Sequence, residues 1–342
     1  MRVLSVGTFQ KLSNTCLHRH WALKNIADKV DEVDTSADGV SWAFRIAYHM
    51  FLYGLPVPVP ERQDENRRIR ALVDANDYDV VWIDKGITIR ASTLRYIRQR
   101  QPHALIISYS PDNMVLRHNQ SKQFLDSISL YDYHVTTKSY ILDDLRRLGA
   151  RHVIFVNKAY APEFHHPCEL TAEERERLGG DVGFIGTWER ERCDSLLYLA
   201  AHGIRVKVFG DGMWNNYRGT ANMEIVPAVF SEDYSKALQA FKISMCFLRK
   251  MNADQQTSRT MEIPACGGFM MAERTVEHQR LFREDEEAVF FGSNEELLEK
   301  VCYYLSHDDE RYRIAAAGLR RCETSGYSNE GMIRNVLGQL LK

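Results

Sequence analysis

The segment that organises this chain is ADQQTSRTMEIPACGGFMMAERTVEH, residues 253–278. It contains an acid-bearing loop, a short helix, a glycine pair, a buried strand and a second acid-rich loop. Asp254 and Glu262 are separated by seven residues, with Arg259 between them. A helix start beside an arginine suits an anion, and a carboxylate suits hydroxyl groups. The segment therefore predicts a binding site where a helix passes into a buried strand.

Length and composition predict two ordinary globular domains. The chain has 342 residues, of which 44% are apolar and 26% are charged, and this length suits two cores better than one. The net charge of -2 gives no reason to expect a nucleic-acid partner or an anionic membrane through bulk electrostatics. The chain begins directly with a strand, and no apolar run approaches about 18 residues, so we expect neither a signal peptide nor a membrane span.

The cysteines point to a reducing compartment. Their number is seven, which is odd, and no CxxC motif occurs. Several lie inside apolar runs, which is typical of reduced, buried thiols. We therefore expect a cytoplasmic protein.

Strands alternate with helices throughout residues 1–160. The predicted strands are 3–6, 30–34, 79–84, 105–108, 133–136 and 153–156, and the predicted helices between them are 14–27, 41–53, 61–76, 91–100, 119–129 and 138–148. This alternation predicts an N-terminal Rossmann-like domain with a doubly wound parallel sheet. The turn at Gly7 lacks the GxGxxG spacing, so a dinucleotide site is poorly supported.

The helix predicted at 41–53, SWAFRIAYHMFLY, is strongly aromatic. Such a helix can lie on a membrane surface, line a substrate site or pack in the core. Packing in the core is the more common case, and it is our expectation here.

Ligands of doubly wound sheets meet the loops that follow the strands. Among these loops, Asp112 in SPDN is the best-placed acid, although SPDN is also an ordinary turn sequence. Three histidine or aspartate pairs resemble metal ligands, at 18 and 20, at 165–166, and at 77 and 79. They lack companions at ligand spacing or precede their strand, so we predict no metal site.

A linker at 161–180 separates a second α/β series at 181–325. Its predicted strands are 182–185, 206–209, 224–226, 243–248, 268–272 and 288–291. Two such domains are expected to form a cleft between their strand ends, and we expect Arg259 and Glu262 to face it.

Three features of the second series converge on an anionic ligand. The turn at 186–188 precedes Arg190 and Arg192 in the first turn of a helix, where cations are unfavourable unless an anion binds between them. The turn at 210–212 leaves room for a ring against the backbone. Ser258 is predicted to cap the helix that carries Glu262.

Each feature also has a purely structural interpretation. The two arginines can pair with the neighbouring glutamates at 189 and 191, and Glu262 can lie on a surface helix. However, Glu262 is followed by the small and apolar residues IPACGG, so its helix is mostly buried. A buried carboxylate needs partners, which favours a functional role for Glu262.

The stretches SRTMEIPACGGFMMAERTVEH, FIGTWERER, VKVFGDGMW, EEAVFFGSNEELLEKVCYYLSHDDER and GYSNEGMI together resemble GT-B fold glycosyltransferases. The nearest pattern is the CgeB-like, spore-maturation branch related to glycosyltransferase family 4. The resemblance covers about 160 C-terminal residues well and the N-terminal half more loosely, through YSPDN, YDYHVTTKSY and NKAYAPEFHHP. It implies two Rossmann-like domains and a nucleoside-diphosphate sugar as donor, without a metal or another cofactor.

The resemblance also implies roles for individual residues. Glu262 takes the place of the acid that contacts the ribose hydroxyls. Asp254 takes the place of the first acid, which contacts the sugar or its phosphate, and it is one methylene shorter than the usual residue. A basic residue, Arg190 or Arg192, holds the diphosphate. The turn at 210–212 lies beside the nucleobase.

We therefore predict a retaining, metal-independent glycosyltransferase of the hexosyltransferase type. The predicted catalytic residues are Asp112 on the acceptor side, Arg190 and Asp254. The predicted donor-binding residues are Gly186, Trp188, Arg190, Arg192, Gly210, Asp211, Gly212, Ser258, Arg259 and Glu262.

The sequence leaves the acceptor and the enzyme class open. The candidate acceptors are a glycan, a lipid-linked glycan, a protein and a small molecule. Whether the protein also contacts a membrane surface is left open. A C-terminal helix at 326–342 is expected to cross back to the N-terminal domain. The alternatives are a nucleotide-sugar epimerase of the same architecture and a non-catalytic nucleotide-sugar-binding protein.

Overall fold

The computed structural model of the protein describes residues 1–37 and 39–341. The chain divides into two compact units. Unit 1 comprises Met1–Asn157 together with the C-terminal residues from Ile333, and unit 2 comprises Lys158–Met332. Each unit contains one six-stranded sheet in which all neighbouring strands are parallel.

Unit 1 is a sheet with the strand order β2-β1-β3-β4-β5-β6 and connecting helices. Its elements are β1 (Arg2–Gly7), α1 (Thr15–Ile26), β2 (Lys29–Asp34), α2 (Trp42–Leu52), α3 (Glu65–Ala75), β3 (Val80–Asp84), α4 (Ala91–Arg100), β4 (Leu105–Ser110), α5 (Lys122–Ser127), β5 (Tyr133–Thr136), α6 (Leu142–Arg147) and β6 (His152–Phe155). The central strand β3 is buried from Val80 to Ile83, as the continuous apolarity of a strand covered on both faces requires.

Unit 2 has the strand order β9-β8-β7-β10-β11-β12. Its elements are α7 (Ala172–Leu178), β7 (Gly180–Ile185), α8 (Arg190–Ala201), β8 (Val206–Phe209), β9 (Met223–Val226), α9 (Glu232–Ala240), β10 (Phe241–Cys246), α10 (Arg259–Ala265), β11 (Met270–Glu273), α11 (Val276–Leu281), β12 (Val289–Phe291), α12 (Asn294–Leu305) and α13 (Asp308–Thr324). A last helix, α14 (Asn329–Leu340), begins in unit 2 and ends in unit 1.

The strand order of unit 2 reverses between β7 and β10. Strands β7, β8 and β9 follow one another to one edge, and β10 returns to the other side of β7. The loops after β7 and β10 therefore diverge at the carboxyl edge of the sheet and leave a crevice, where ligands of such sheets bind. In unit 1, the corresponding reversal lies between β1 and β3.

The glycine pair that follows α10 ends this helix as the sequence predicts. Gly267 has a φ of +76°, a conformation that glycine adopts without a side-chain clash. The backbone N–H of Gly268 donates to the carbonyl of Ile263 at 3.0 Å, which satisfies a carbonyl at the helix end. Strand β11 begins two residues later, at Met270.

The expected fold class is confirmed, since both units are doubly wound parallel sheets. Local boundaries differ in places. The charged helix begins at Glu65 rather than at 61. The helices predicted at 119–129 and 138–148 are shorter α-helices: α5 is followed by a 3-10 turn at Ile128–Leu130, and α6 is preceded by one at Ser139–Ile141. No helix in residues 1–37 and 39–341 is long and apolar enough to cross a membrane. All seven cysteines are free thiols, and five of them are buried.

The expectation that the aromatic helix packs in the core is wrong for most of α2. Only Phe44 and Phe51 are buried on this helix, whereas Trp42, Ile46 and Met50 are exposed. The helix is aromatic on both faces, so composition alone does not separate its packed face from its exposed face.

Candidate functional site

Beside the crevice of unit 2, the loops after β7 and β8 make a tight contact with each other. The indole Nε1 of Trp214 donates to the carbonyl of Gly186 at 2.8 Å. A Cβ at position 210 would lie 2.3 Å from Trp214 Cδ1, so only glycine fits there. The ring that lies against this turn is therefore the protein's own Trp214. Of its neighbours, Asp211 is exposed, and Gly212 has a φ of +65° with open space around it.

Arg192 holds the loops after β7 and β10 together. Its buried guanidinium donates to the carbonyl of Thr187 at 3.0 Å and to that of Leu248 at 2.9 Å. Burial lowers the pKa of Arg192, and the nearby Glu189 carboxylate opposes this effect. The group still carries its charge at neutral pH. Two of its three nitrogens are thus engaged with the protein itself.

Glu189 makes a second connection between the same two loops. It lies at the N-terminal end of α8 and is buried. Its carboxylate accepts hydrogen bonds from Nε of Arg249 at 3.0 Å and from the backbone N–H of Lys250 at 3.1 Å. Arg190, the next residue, is exposed and makes no ion pair within the described part of the chain.

Arg259, by contrast, has no carboxylate partner among the residues that the structure describes. Its Nη2 lies 3.1 Å from the point that a Cβ on Gly186 would occupy, so it lies against this backbone turn. In residues 1–37 and 39–341 it makes no ion pair, and its buried Nε has no hydrogen-bond partner. A buried donor without a partner costs about 1–3 kcal/mol. The side chain is therefore suited to bind an anion at the turn after β7.

Two guanidinium groups share one aromatic ring at this position. Arg192 and Arg259 lie over the ring of Phe184, with their Cζ atoms 5.3 Å and 5.7 Å from its centroid. Arg259 contributes to the lowered pKa of Arg192, because like charges repel. The crevice thus concentrates positive charge that its own carboxylates only partly offset.

Glu262 lies one helical turn after Arg259, in a pocket of neutral groups. It is 4% exposed, and the hydroxyl of Tyr234 donates to its Oε2 at 2.5 Å. His165 Nε2 lies 3.7 Å from its Oε1. Burial lowers the pKa of His165 to about 3 and raises that of Tyr234 well above its ordinary value. Both partners are therefore uncharged at neutral pH.

The tautomer of His165 follows from its other ring nitrogen. The backbone N–H of Ala161 donates to Nδ1 at 3.1 Å. Nδ1 is therefore the acceptor, and the proton of the neutral ring is on Nε2, the nitrogen that faces Glu262. Sequence reasoning did not single out Tyr234, and it considered His165 only as half of a histidine pair that resembles metal ligands, because both residues come from segments remote from 253–278.

Asp254 lies beside a cavity of about 550 Å³ at the carboxyl ends of β10 and β11. It is 7% exposed, and its Oδ1 accepts a hydrogen bond from the side-chain amide of Asn252 at 3.0 Å. The cavity is also lined by polar residues that the sequence analysis did not name as site residues, Lys250, Gln255, Glu273, Arg274, Thr275 and Gln279. For Glu273, Arg274 and Thr275, the sequence signal was the run Glu-Arg-Thr at the end of a buried strand.

Two predicted site residues have local roles that differ from those expected. Ser258 occupies the N-cap position of α10, but its side chain makes no capping hydrogen bond, so the predicted cap is wrong. Instead, Thr260 Oγ1 accepts from the backbone N–H of Thr257 at 3.0 Å. Trp188 is half-buried and packs against the hydrophobic core of unit 2.

In unit 1, Asp112 follows β4 and forms an ion pair with Lys85. A separate cavity of about 280 Å³ lies at the carboxyl ends of β1 and β3. Its lining includes Lys85 and the ion pair between Arg19 and Asp84, in which two guanidinium nitrogens contact the two carboxylate oxygens. Asp112 itself is not among the lining residues.

The candidate metal ligands have other contacts. Asp79 Oδ2 accepts from the backbone N–H of Arg2 at 2.6 Å, which joins the starts of β1 and β3. The His18 ring contacts the carbonyl of Leu12 at 2.6 Å. Within the described residues, no group of three or more His, Cys, Asp or Glu side chains is arranged to hold a metal ion.

Residues 190–338 match the family model described as glycosyl transferase-like. No curated protein matches the chain. Among solved structures, the chain is similar to HepE of Anabaena in complex with UDP-glucose, with 13% identity, a TM-score of 0.64 and 99% of each chain covered.

Two further solved structures have the same fold. Sucrose-phosphate synthase of Thermosynechococcus elongatus has 12% identity and a TM-score of 0.63, with 100% of this chain and 98% of that chain covered. The N-terminal domain of trehalose-6-phosphate phosphatase of Candida albicans has 11% identity and a TM-score of 0.67, with 99% and 96% covered. These similarities confirm two Rossmann-like domains of the GT-B kind.

Proposed function

We propose that this protein is a glycosyltransferase that moves a sugar, of hexose type, from a nucleoside-diphosphate sugar to an acceptor. The proposal rests mainly on the position of Arg259. This side chain lies against the turn at Gly186 and has no carboxylate partner in the described residues. The match of residues 190–338 to a glycosyl transferase-like family supports the proposal. So does the shared fold with a protein that binds UDP-glucose.

The proposed donor site assigns the diphosphate to the positive part of the crevice. Arg259 and the exposed Arg190 contact the phosphates, since guanidinium groups bind phosphate oxygens through paired hydrogen bonds. Arg192 holds the loops after β7 and β10 in place through its hydrogen bonds to their carbonyls, and its charge adds to the positive potential at the diphosphate site. Glu262 accepts hydrogen bonds from the ribose hydroxyls, with Tyr234 holding the carboxylate.

The remaining predicted donor contacts are assigned by position. Asp254 faces the sugar, since it borders the cavity after β10 and β11. The turn at 210–212 lies beside the nucleobase, where Gly212 leaves open space. Because the donor cavity also contains Glu273 and Arg274, these two residues are additional candidates for contacts to sugar hydroxyls.

Catalysis in this proposal is electrostatic. The bond from the anomeric carbon to the diphosphate breaks, and negative charge develops on the leaving oxygen. Fixed cations next to that oxygen stabilise the transition state more than the ground state. The charge of Arg190 and Arg259 takes the part that a divalent metal plays in other transferases. We propose retention of configuration: the acceptor oxygen bonds to the anomeric carbon on the face from which the diphosphate leaves, and the leaving phosphate accepts the proton of the acceptor hydroxyl.

The acceptor is assigned to unit 1. Its cavity of about 280 Å³ combines an aromatic wall, Phe44 and Tyr48, with polar groups such as Asn14 and Thr88. Aromatic faces with interspersed hydrogen-bonding groups suit sugars and other polyhydroxylated molecules. Asp112 is the acceptor-side acid of the proposal, next to Lys85.

Calorimetry with a panel of UDP-, GDP-, ADP- and dTDP-sugars tests the proposal. One of these donors should bind the wild type. The Arg259→Ala variant should bind it about tenfold to a hundredfold more weakly, because a charge-assisted bond to phosphate is lost. Arg280→Ala is the matched control, since Arg280 is an exposed arginine on α11. The proposal is wrong if no donor binds, or if both variants bind equally well.

Incubation with the donor alone separates the enzyme classes. A transferase leaves the donor unconverted until an acceptor is present, apart from slow hydrolysis. Conversion to an epimeric sugar nucleotide, detected by NMR, would contradict the transferase and indicate an epimerase. Binding without diphosphate release across a broad acceptor panel would indicate a non-catalytic binding protein.

A further inference from the structure

Helix α2 presents an apolar surface that the described part of the protein does not cover. Sixteen large hydrophobic residues are exposed in residues 1–37 and 39–341, and six of them lie between positions 42 and 55. We name these six the α2 patch: Trp42, Ile46, Met50, Leu52, Tyr53 and Leu55. Trp42 and Tyr53, at the two ends, are 77% and 76% exposed. Scattered exposed hydrophobics are common, but a contiguous group marks an interaction surface.

The geometry of the helix makes the α2 patch continuous. Trp42, Ile46 and Met50 are spaced four residues apart, so they form one ridge along the helix. Their buried counterparts, Phe44 and Phe51, face unit 1. The ridge therefore points away from the core to which α2 is attached.

The charge around the α2 patch is positive. Residues 39–60 contain no Asp or Glu, although the chain has 46 acidic residues in 342, so a stretch of this length would ordinarily hold about three. Arg45 is exposed on the helix, next to the ridge.

Two more arginines adjoin α2 in space. Arg62 lies over the Phe44 ring, with its Cζ 4.6 Å from the centroid. Arg117 lies against Gly54, since a Cβ there would be 2.9 Å from Arg117 Cβ. None of Arg45, Arg62 and Arg117 forms an ion pair within the described residues.

We propose that the α2 patch binds an anionic phospholipid surface. An apolar ridge with a tryptophan and a tyrosine at its ends suits the boundary between headgroups and acyl chains. Three arginines without carboxylate partners in the described residues suit anionic headgroups, which attract basic side chains near the membrane surface. A protein partner would satisfy the ridge but would also need acids placed against these arginines, whereas an anionic bilayer presents negative charge everywhere.

The inner face of α2 connects this surface to the unit 1 cavity. Phe44 and Tyr48 line that cavity, and they lie on the same helix as the exposed ridge. A bound α2 thus holds the cavity close to the headgroup layer. If the proposed function holds, this position favours a lipid-linked acceptor over a freely diffusing one.

Vesicle sedimentation tests the proposal with the full-length protein. The wild type should sediment with vesicles of phosphatidylcholine and phosphatidylglycerol in equal amounts, and much less with phosphatidylcholine alone. A Trp42→Ser/Tyr53→Ser variant should bind the anionic vesicles at least about tenfold more weakly, because the two rings no longer insert. Tyr312→Ser, at a tyrosine on α13 that is 68% exposed, is the matched control and should bind as the wild type does.

A fluorescence measurement locates the contact. The chain has five tryptophans, and quenching by brominated phospholipid should be strong in the wild type. It should be largely lost in Trp42→Phe, which retains an apolar ring and should still sediment with the vesicles. Donor binding by calorimetry should be unchanged in every variant, so a failure here is distinct from a failure of the proposed function.

Three results would overturn the proposal. The first is a wild type that does not bind the anionic vesicles. The second is a Tyr312→Ser variant that loses as much binding as the double variant. The third is a wild-type dimer in sedimentation equilibrium that the double variant abolishes, since the patch would then contact a second copy of the chain.

Discussion

The hydroxyl of Tyr234 donates a hydrogen bond to Oε2 of Glu262 at 2.5 Å. The pair joins α9 to α10, the helix that carries Arg259. Because the carboxylate is buried, its orientation depends on this neutral donor more than on solvent. The pair thus links the stability of unit 2 to the position of the acid that we assign to the ribose.

Removing this hydroxyl should destabilise the protein. Tyr234→Phe retains the ring that stacks on Phe164, with centroids 6.2 Å apart, but it removes a donor from a buried carboxylate. We expect the free energy of unfolding to fall by about 1–3 kcal/mol, measured by urea titration. The control is Tyr303→Phe, which removes an exposed hydroxyl that donates to Glu310 at 2.8 Å. Equal effects in the two variants would contradict a special role for the buried pair.

Stability should fall as the pH is lowered from neutral. Burial lowers the pKa of His134 to about 4 and that of His165 to about 3, from an ordinary value of 6.5. Below about pH 6.5 the unfolded chain binds protons at these residues and the folded chain does not. Each histidine therefore lowers the free energy of unfolding by about 1.4 kcal/mol per pH unit between pH 6.5 and its folded pKa.

Urea titrations at pH 7 and pH 5 measure this dependence. His134→Gln should make it less steep, because one of the contributing histidines is removed while an amide can still donate to the Ile128 carbonyl that the ring contacts. His152→Gln, at an exposed position on β6, is the control and should leave the dependence as it is. A steepness that is the same in all three proteins would refute the assignment.

The two neighbouring arginines of α8 should respond differently to substitution. Arg192→Ala removes two hydrogen bonds to loop carbonyls, so it should lower the free energy of unfolding by about 2–4 kcal/mol. Amide hydrogen exchange in residues 247–253 should become faster. Arg190→Ala removes an exposed side chain, and it should leave stability within about 0.5 kcal/mol while weakening donor binding. The reverse pattern would contradict our division of roles between the two residues.

A methyl group at position 210 should loosen the crevice. In Gly210→Ala the Cβ would lie 2.3 Å from Trp214 Cδ1, so the indole must move and its bond to the Gly186 carbonyl is strained. We expect a loss of about 1–3 kcal/mol in the free energy of unfolding. Gly338→Ala, on α14 with nothing within 4 Å, should instead stabilise by up to about 1 kcal/mol through helix propensity. Thermal unfolding of the two variants should shift in opposite directions.

Local patterns in the sequence were enough to predict both sheets. The buried strand predicted at 79–84 is β3, Val80–Asp84, and the glycine pair after α10 ends that helix as expected. Such features depend on residues close together in the chain. The reversal between β7 and β10 could not be predicted this way, because it depends on how strands separated by several crossovers pack side by side.

In the candidate donor site, too, local sequence predicted some features and the contacts between distant residues decided the others. The burial of Glu262 followed from its own neighbours, but its partner Tyr234 lies 28 residues away, and nothing local marks that pairing. Arg192 and Arg259 look alike in the sequence. Only the tertiary structure engages the first with two carbonyls and leaves the second against a glycine turn without a carboxylate partner in the described residues.

By itself, then, the sequence determined the alternation of strands and helices, the buried strands, the glycine turns and the candidate acids and arginines. These are properties of periodicity and of residue type, which act over a few residues. The tertiary structure decided which arginine is available to a ligand, which groups surround Glu262, and which face of α2 is exposed. Those outcomes depend on desolvation and charge compensation by side chains distant in the sequence, and such contacts exist only once the chain has folded.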